Sequence, residues 1–381
     1  VDDFNVRKAI ALLGDDPYAV FAKAVLSGRA AGRVYLDDPD APSALAAVSD
    51  EEARCYLSLG TPPADPGAWR AAIERTILAD QAELGDEAME CFLPPDAGDE
   101  VRGLLEGMDA AWNPALLYVW RAGTPPAVAP APEGYALAAI TDDALDSGEW
   151  SNVELITDEW EDRIDSVDGV RGFCLVSDGE VAAACHIDFR HEAEAEIGVI
   201  TDARHRRRGL ASCAAANAIA FFSSRGIDRV VWHAPVDNLG SRATAERCGM
   251  AVEREFGEYL LHSRRANRLL MRGFSRVRSG ALALAAADYR EALRADAAEP
   301  VPFAGWHGRD EVLEWILECY CDLRDAASID ATLASLGDYG LAPDRELIER
   351  FAAMEPLSFL AESAGWRELI RLHGSASRPR A

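Results

Sequence analysis

The stretch Glu194–Ala211, EAEIGVITDARHRRRGLA, holds the residues best placed to do chemistry in this chain. It reads as a strand, then a turn carrying Arg206, Arg207 and Arg208, then Gly209 opening a helix. The first turn of a helix has amides without intrahelical partners and a partial positive charge, so a phosphate docks there without special side chains. Gly209 lets a ligand approach the backbone closely. Arg206 and Arg208 can add charge-assisted hydrogen bonds of roughly 1.5–3 kcal/mol each. Three arginines alone fit a solvated basic turn equally well. In a chain of net charge -27, a basic cluster at a strand-to-helix junction points to an anionic, phosphate-bearing ligand.

That acidity argues against a nucleic-acid partner, which would be repelled, and favours cationic or amine substrates. Lysine occurs only at Lys8 and Lys23. The eight cysteines are dispersed and form no CxxC pair, so no zinc site is expected and the thiols read as small core residues. No apolar run approaches the roughly 18 residues that span a bilayer. The opening VDDFNVRKAI is acidic and polar, unlike a secretory signal, and the chain is expected to be soluble and cytoplasmic, with no membrane partner.

The elements that must position the turn follow from periodicity. A length of 381 residues suggests two or three domains. Residues 1–125 alternate helix and strand signals. A helix is expected over Asp15–Ser27, then strands at Gly32–Leu36, Ser43–Val48 and Ala53–Leu59, with a turn at Asp37–Asp40. A helix over Pro66–Glu83, a strand at Glu90–Leu93, a helix over Asp99–Gly107 and an apolar run at Ala115–Trp120 follow. Gly123–Gly134, rich in proline and alanine, reads as a semi-rigid linker. A second α/β unit comes next. It has strands at Tyr135–Ile140, Gly172–Ser177 and Val181–Asp188, polar helical turns over Leu145–Glu159, and a hairpin turn at Asp178-Gly179. A helix from Gly209 to Ser224 is closed by Gly226, a strand spans Asp228–Ala234, a helix Ser241–Cys248 ends at Gly249, and a last strand Val252–Leu261 breaks at Gly257. From Arg272 only helices are expected, at Val277–Arg294, Asp310–Leu323, Ile329–Leu336, Arg345–Met354 and Pro356–Leu372, with a disordered tail at Gly374–Ala381.

Arg206-Arg207-Arg208-Gly209-Leu210-Ala211 resembles the (Gln/Arg)-x-x-Gly-x-(Gly/Ala) motif of the GNAT superfamily of acyl-CoA N-acyltransferases. The preceding strand, Ala195–Thr201, and Asn238-x-x-Ser241 followed by Ala245–Met250 stand where that family has its own strand and its Asn-x-x-Ser helix. The likeness covers roughly residues 133–262. Together with GRVYLDD near residue 32 and the helical tail, it looks like the zwittermicin A resistance acetyltransferase family. The resemblance implies an α/β fold of tandem GNAT-like mixed-sheet domains followed by an all-α, tetratricopeptide-like region. Its domains would be a degenerate half at 1–125, a catalytic half at 126–271 and helices at 272–381.

The resemblance also implies acetyl-CoA as the acyl donor and a small-molecule amine as acceptor. Val199, Ile200 and Thr201 would align the pantetheine arm by backbone. Arg206, Arg207, Arg208, Gly209, Leu210 and Ala211 would hold the pyrophosphate, with Asn238 and Ser241 beside them, and no metal is required. A backbone amide would steady the oxyanion, an effect of about 2.7–4 kcal/mol. Glu196 is the candidate general base, directly or through water, with Glu194 in reserve. By strand alternation Glu196, Gly198 and Ile200 share a face, and Gly198 would leave room for substrate. The family's tyrosine, which protonates the departing thiolate, falls at Ala245. The thiolate would then leave unaided, or Tyr259 or a residue of another domain would serve. His233 reads either as packing or as facing substrate. The relatives acetylate polyamino antibiotics. A protein N-acetyltransferase using the C-terminal helices for protein contact, and a catalytically silent acetyl-CoA sensor, are the competing expectations.

Overall fold

A computed structural model describes residues 3–38, 42–49, 54–58, 70–71, 73–83, 88–94, 97, 99–157, 165–299, 303, 307–343 and 345–373. The expected start of the Pro66 helix, the end of the 145–159 segment, the outer half of the Asp37–Asp40 turn and the 374–381 tail lie outside them. The chain forms two compact units. The first comprises residues 1–64, 90–101 and 113–258, and the second residues 65–89, 102–112 and 259–381.

The strands are β1 Gly32–Leu36, β2 Leu45–Ser49, β3 Arg54–Ser58, β4 Ala88–Phe92, β5 Ala111–Arg121, β6 Ala136–Ile140, β7 Gly172–Ser177, β8 Glu180–His191, β9 Glu194–Thr201, β10 Arg229–Pro235 and β11 Ala251–His262. The helices are α1 Asp3–Leu13, α2 Val20–Leu26, α3 Leu78–Glu83, α4 Asp99–Gly107, α5 Asp142–Asp146, α6 Glu154–Thr157, α7 Leu210–Ser223, α8 Leu239–Arg247, α9 Arg265–Arg278, α10 Leu282–Asp296, α11 Arg309–Asp322, α12 Ala326–Ala334, α13 Arg345–Ala352 and α14 Ala364–His373.

The strands make one mixed eleven-stranded sheet in the order β1-β2-β3-β4-β11-β5-β10-β9-β8-β7-β6. The strands before and after the proline-rich segment are interleaved: β11 inserts between β4 and β5, and β5 in turn pairs antiparallel with β10. The expected boundary near residue 125 therefore separates neighbours in sequence that share one sheet. Arg54 on β3 and Glu196 on β9 lie five places apart in that order, yet their side chains meet at 2.6 Å. The sheet must curl to bring them together. It curls around α2, whose residues are all buried, including Lys23, which pairs with Glu194 at 3.1 Å. On the opposite face α7 packs Leu210, Ala214, Ala218, Ile219 and Phe222 onto β7, β8 and β9.

Local chemistry explains most element ends. Asp178 and Gly179 both have positive φ (52° and 79°), giving the expected two-residue hairpin between β7 and β8. Gly226 (φ 92°) and Gly249 (φ 82°) follow α7 and α8. The 123–134 segment forms no helix or strand, and Ala129 accepts a hydrogen bond from Asn217 of α7.

Four expectations are corrected. The 15–27 helix is a short 3-10 turn, Pro17–Ala19, running into α2, and α1 precedes it. The expected helix from Val277 to Arg294 is two helices, because Gly280 takes φ 76° and breaks the chain between α9 and α10. β11 runs through Gly257 without a break, since that glycine keeps an ordinary strand φ. The Pro356–Leu372 segment likewise divides. A 3-10 stretch ends at Ser363, whose hydroxyl accepts from Trp366 N at 3.0 Å and opens α14.

In the second unit, α9 and α10 pack closely because Gly273 leaves its side-chain space to the Tyr289 ring. A Cβ there would overlap that ring. Gly273→Ala is expected to lower stability by about 1–3 kcal/mol, as overpacking does. A fall in the urea midpoint with an unchanged slope is the readout.

Candidate active site

The site begins where two strands part. β10 pairs in parallel with β9 only over Arg229↔Glu194, Val230↔Ala195 and Val231↔Glu196. Beyond this, β10 continues against β5 as far as Pro235, while β9 continues against β8 as far as Thr201. The strands therefore splay from Ile197 and Trp232 onward. A cause is visible in β8, where the register shifts between Ile187 and Phe189, opposite Glu196 and Ile197. Such a bulge increases local twist and turns the strand aside. The backbone of Val199, Ile200 and Thr201 on the open side is available to an extended ligand.

At the end of β9, Asp202 caps a 3-10 turn by accepting from Arg204 N at 2.8 Å. Arg207 (φ 64°) and Gly209 (φ 79°) then reverse the chain so that Gly209 stands at the N-cap of α7. That left-handed Gly209 is where the sequence needs glycine. No side chain caps α7, which leaves its first amides to a ligand. A cavity of about 840 Å³ opens beside this turn. Val199, Ile200, Thr201, Arg206, Arg207, Gly209, Leu210, Ala211, Asn238 and Ser241 all line it. Arg208 does not line it; its guanidinium donates to Tyr135 Oη at 2.8 Å and to the Arg204 carbonyl at 3.3 Å. Asn238 also has a structural task, since its Oδ1 accepts from Ser241 N at 3.0 Å and caps α8.

Sequence reasoning missed part of this wall. Trp232 lines the cavity and donates to Ser241 Oγ at 3.0 Å. Thr244 and Arg247 also line it, and their helical spacing from Ser241 was a usable signal.

On the other face of the sheet lies Glu196, only 1% exposed. Its Oε1 accepts from Arg54 Nη1 at 2.6 Å and stands 3.4 Å from His233 Nδ1. Its Oε2 is buried without a hydrogen-bond partner. Burial alone would raise the Glu196 pKa, but the Arg54 charge and the contact with His233 hold it below the ordinary carboxylate value. Burial lowers the His233 pKa, and the hydrogen bond to Glu196 together with the Glu196 and Glu90 charges outweighs this and leaves it raised. β9 keeps its alternation because the bulge is in β8. Ile197 and Val199 pack beneath α7, while Ile200 joins a separate apolar cluster. The room expected beside Gly198 is not open to substrate. The Asp188 carboxylate and the His186 ring fill it and would collide with any Cβ there. Glu194 is engaged by Lys23 and Arg229.

Residues 125–259 match the sequence model of the family described as GNAT acetyltransferase. That stretch is similar to GNAT acetyltransferase domains. No curated protein matches the chain. A GCN5-related N-acetyltransferase-like protein from Streptococcus suis 89/1591 is 20% identical, covering 68% of this chain and 99% of that one at a TM-score of 0.49. A GCN5-related N-acetyltransferase from Kribbella flavida is 19% identical, covering 65% and 96%, at a TM-score of 0.46. A tandem GNAT protein from the clavulanic acid biosynthesis pathway is 15% identical, covering 69% and 96%, at a TM-score of 0.44. These likenesses assign no residue a role.

Within residues 125–259, Ala245 is fully buried in the core beside Cys248 and Met250, so no side chain reaches the cavity from that position. Tyr259 belongs to the second unit, where its ring packs on Trp112 at 4.9 Å.

Proposed function

We propose that the protein is an acetyl-CoA-dependent N-acetyltransferase that acetylates a primary amine of a small molecule. The observation that carries this reading is the coincidence of the β9–β10 splay with a cavity lined by the Arg206–Ala211 turn. The residues present fit acetyl-CoA. Arg206, Arg207 and the uncapped amides of α7 suit a pyrophosphate, and the open edge of β9 suits an amide-bearing arm. Acetyl-CoA supplies an activated acyl group. The acceptor nitrogen forms the new N–C bond as the C–S bond breaks, and Glu196 together with His233 takes the proton that the nitrogen gives up. The thiol is a good leaving group, with a pKa near roughly 8.5, and leaves without a side-chain acid.

A cationic polyamino antibiotic is the acceptor class we favour, as self-resistance within the cytoplasm, because a net charge of -27 steers polycations toward the protein. Among the described residues, no helix is long and apolar enough to cross a membrane. The helices from Arg265 onward would serve as a tetratricopeptide-like contact surface.

Thiol release by the full chain from acetyl-CoA, measured with a panel of polyamines and N-terminal peptides, tests the reading. Release with polyamines supports it, and release with peptides alone makes the enzyme a protein N-acetyltransferase. Binding of acetyl-CoA without release to any amine leaves the silent-sensor reading. Arg206→Ala is expected to weaken acetyl-CoA binding at least about tenfold, the loss of one charge-assisted bond. Unchanged affinity by calorimetry removes the pyrophosphate assignment.

A further inference from the structure

The face of the sheet that carries Glu196 holds more acid than proton transfer requires. Glu90 on β4, Glu258 on β11 and His233 on β10 each offer one ligand atom, and these atoms lie within 4.8 Å of one another. Glu258 is 3% exposed. Its Oε1 accepts from Asn113, while its Oε2 is buried without a hydrogen-bond partner. Glu258 Oε2 in this cluster, and Glu196 Oε2 of the carboxylate beside His233, thus both lack hydrogen-bond partners. Arg54 is already shared between Glu196 at 2.6 Å and Glu90 at 3.5 Å. Burial of the Glu258 carboxyl and the neighbouring Glu90 charge raise its pKa, against the lowering effect of His233, Asn113 and Arg54.

The surroundings are aromatic. The Tyr18 ring lies 4.5 Å from Phe92, 4.8 Å from Phe256 and 5.4 Å from His233, centroid to centroid. Aromatic rings near carboxylates suit an organic ammonium group. Glu90, with 38% of its side chain exposed, gives the cluster a route to solvent.

We propose that Glu90, Glu258 and His233 form a subsite for a second ammonium group of the acceptor, so that the preferred acceptor is a short-chain diamine rather than a monoamine. The inference rests on the N-acetyltransferase reading, in which the reacting nitrogen stands by Glu196 and His233. The second nitrogen then lies between Glu90 and Glu258. Because His233 borders both positions, 3.4 Å from Glu196 and within the Glu90–Glu258 group, the two nitrogens are separated by only a few bonds.

The test is calorimetric titration of the full chain with trimethylenediamine and with propylamine, in the absence of acetyl-CoA. The diamine is expected to bind at least about tenfold tighter, the effect of one added charge-assisted contact. Glu258→Gln and the more exposed Glu90→Gln should each collapse that ratio toward one. Glu253→Gln, at an exposed pair with Arg121, removes the same charge elsewhere and should keep it. Equal affinities in the native protein, or a ratio preserved in both cluster variants, overturn the subsite. Stoichiometric zinc binding lost in Glu258→Gln, with no preference between the amines, overturns it in favour of a metal site. If the diamine preference holds while neither amine releases thiol from acetyl-CoA, the transferase reading fails and the diamine subsite stands.

Discussion

Glu196→Gln is expected to slow acetyl transfer by about 10²–10⁴-fold, the range of a positioned proton acceptor, without weakening acetyl-CoA binding. The amide keeps the shape and can still meet Arg54, but it cannot take a proton through Oε2, the oxygen that has no partner. The pH profile separates this loss from a packing defect. In the native protein the hydrogen bond to Glu196 raises the His233 pKa. His233 accepts a proton only when neutral, so kcat/KM rises as pH increases through that raised value. In the variant the Glu196 charge is gone, while burial, the largest influence and one that lowers the pKa, remains. The rise in the residual rate should therefore move to lower pH. A variant as fast as the native enzyme, or one whose profile keeps its midpoint, would remove the pair from proton transfer.

Arg54→Ala should cost about 3–5 kcal/mol of stability at neutral pH, the usual result of stripping the partner from a buried charge. The sign of its pH dependence is distinctive. With Arg54 in place, the folded pKa of Glu196 lies below its unfolded value of about 4.3. That stabilisation is complete above the unfolded value and is lost as pH falls through the folded one. Without Arg54, burial becomes the dominant influence and pushes the carboxyl up, so ionised Glu196 destabilises the fold. The deficit of Arg54→Ala relative to the native chain should then shrink on acidification as the carboxyl protonates. Urea midpoints at neutral pH and near pH 5 measure it, and a deficit that stays constant between them contradicts the account.

The parts of the site that depend on neighbours in sequence were legible. The Arg206–Ala211 turn, the alternation of β9, the hairpin at Asp178-Gly179 and the glycine ends of α7 and α8 are each set by a few consecutive residues. What lay beyond the sequence depends on curvature and strand order. Arg54 is 142 positions from Glu196, and only the curl of the sheet around α2 makes them partners. Periodicity marks β11 as a strand, but nothing in its residues says that it inserts between β4 and β5. The carboxylates of Glu90 and Glu258 are likewise ordinary strand residues until that insertion brings them together. Gly198 misled for the same reason. Strand alternation leaves room beside it, but Asp188 and His186 on the neighbouring strand fill that room, and their placement depends on strand pairing.

The interleaving also sets a timetable for synthesis. β4 and β5 cannot acquire the strand that lies between them until β11 has been made, and β10 in its turn depends on β5, made long before it. Roughly 140 residues separate the end of β5 from the end of β11, which at about 5–20 residues per second is on the order of ten to thirty seconds of translation. Throughout that interval the nascent chain carries Cys91, Phe92, Leu117 and Val119 on strands with open edges, the kind of surface that holding chaperones shield. The cluster of Glu90, His233 and Glu258 is thus among the last parts of the sheet to exist, and a ribosome stalled before residue 251 would leave a chain with the Arg206–Ala211 turn but no Glu258.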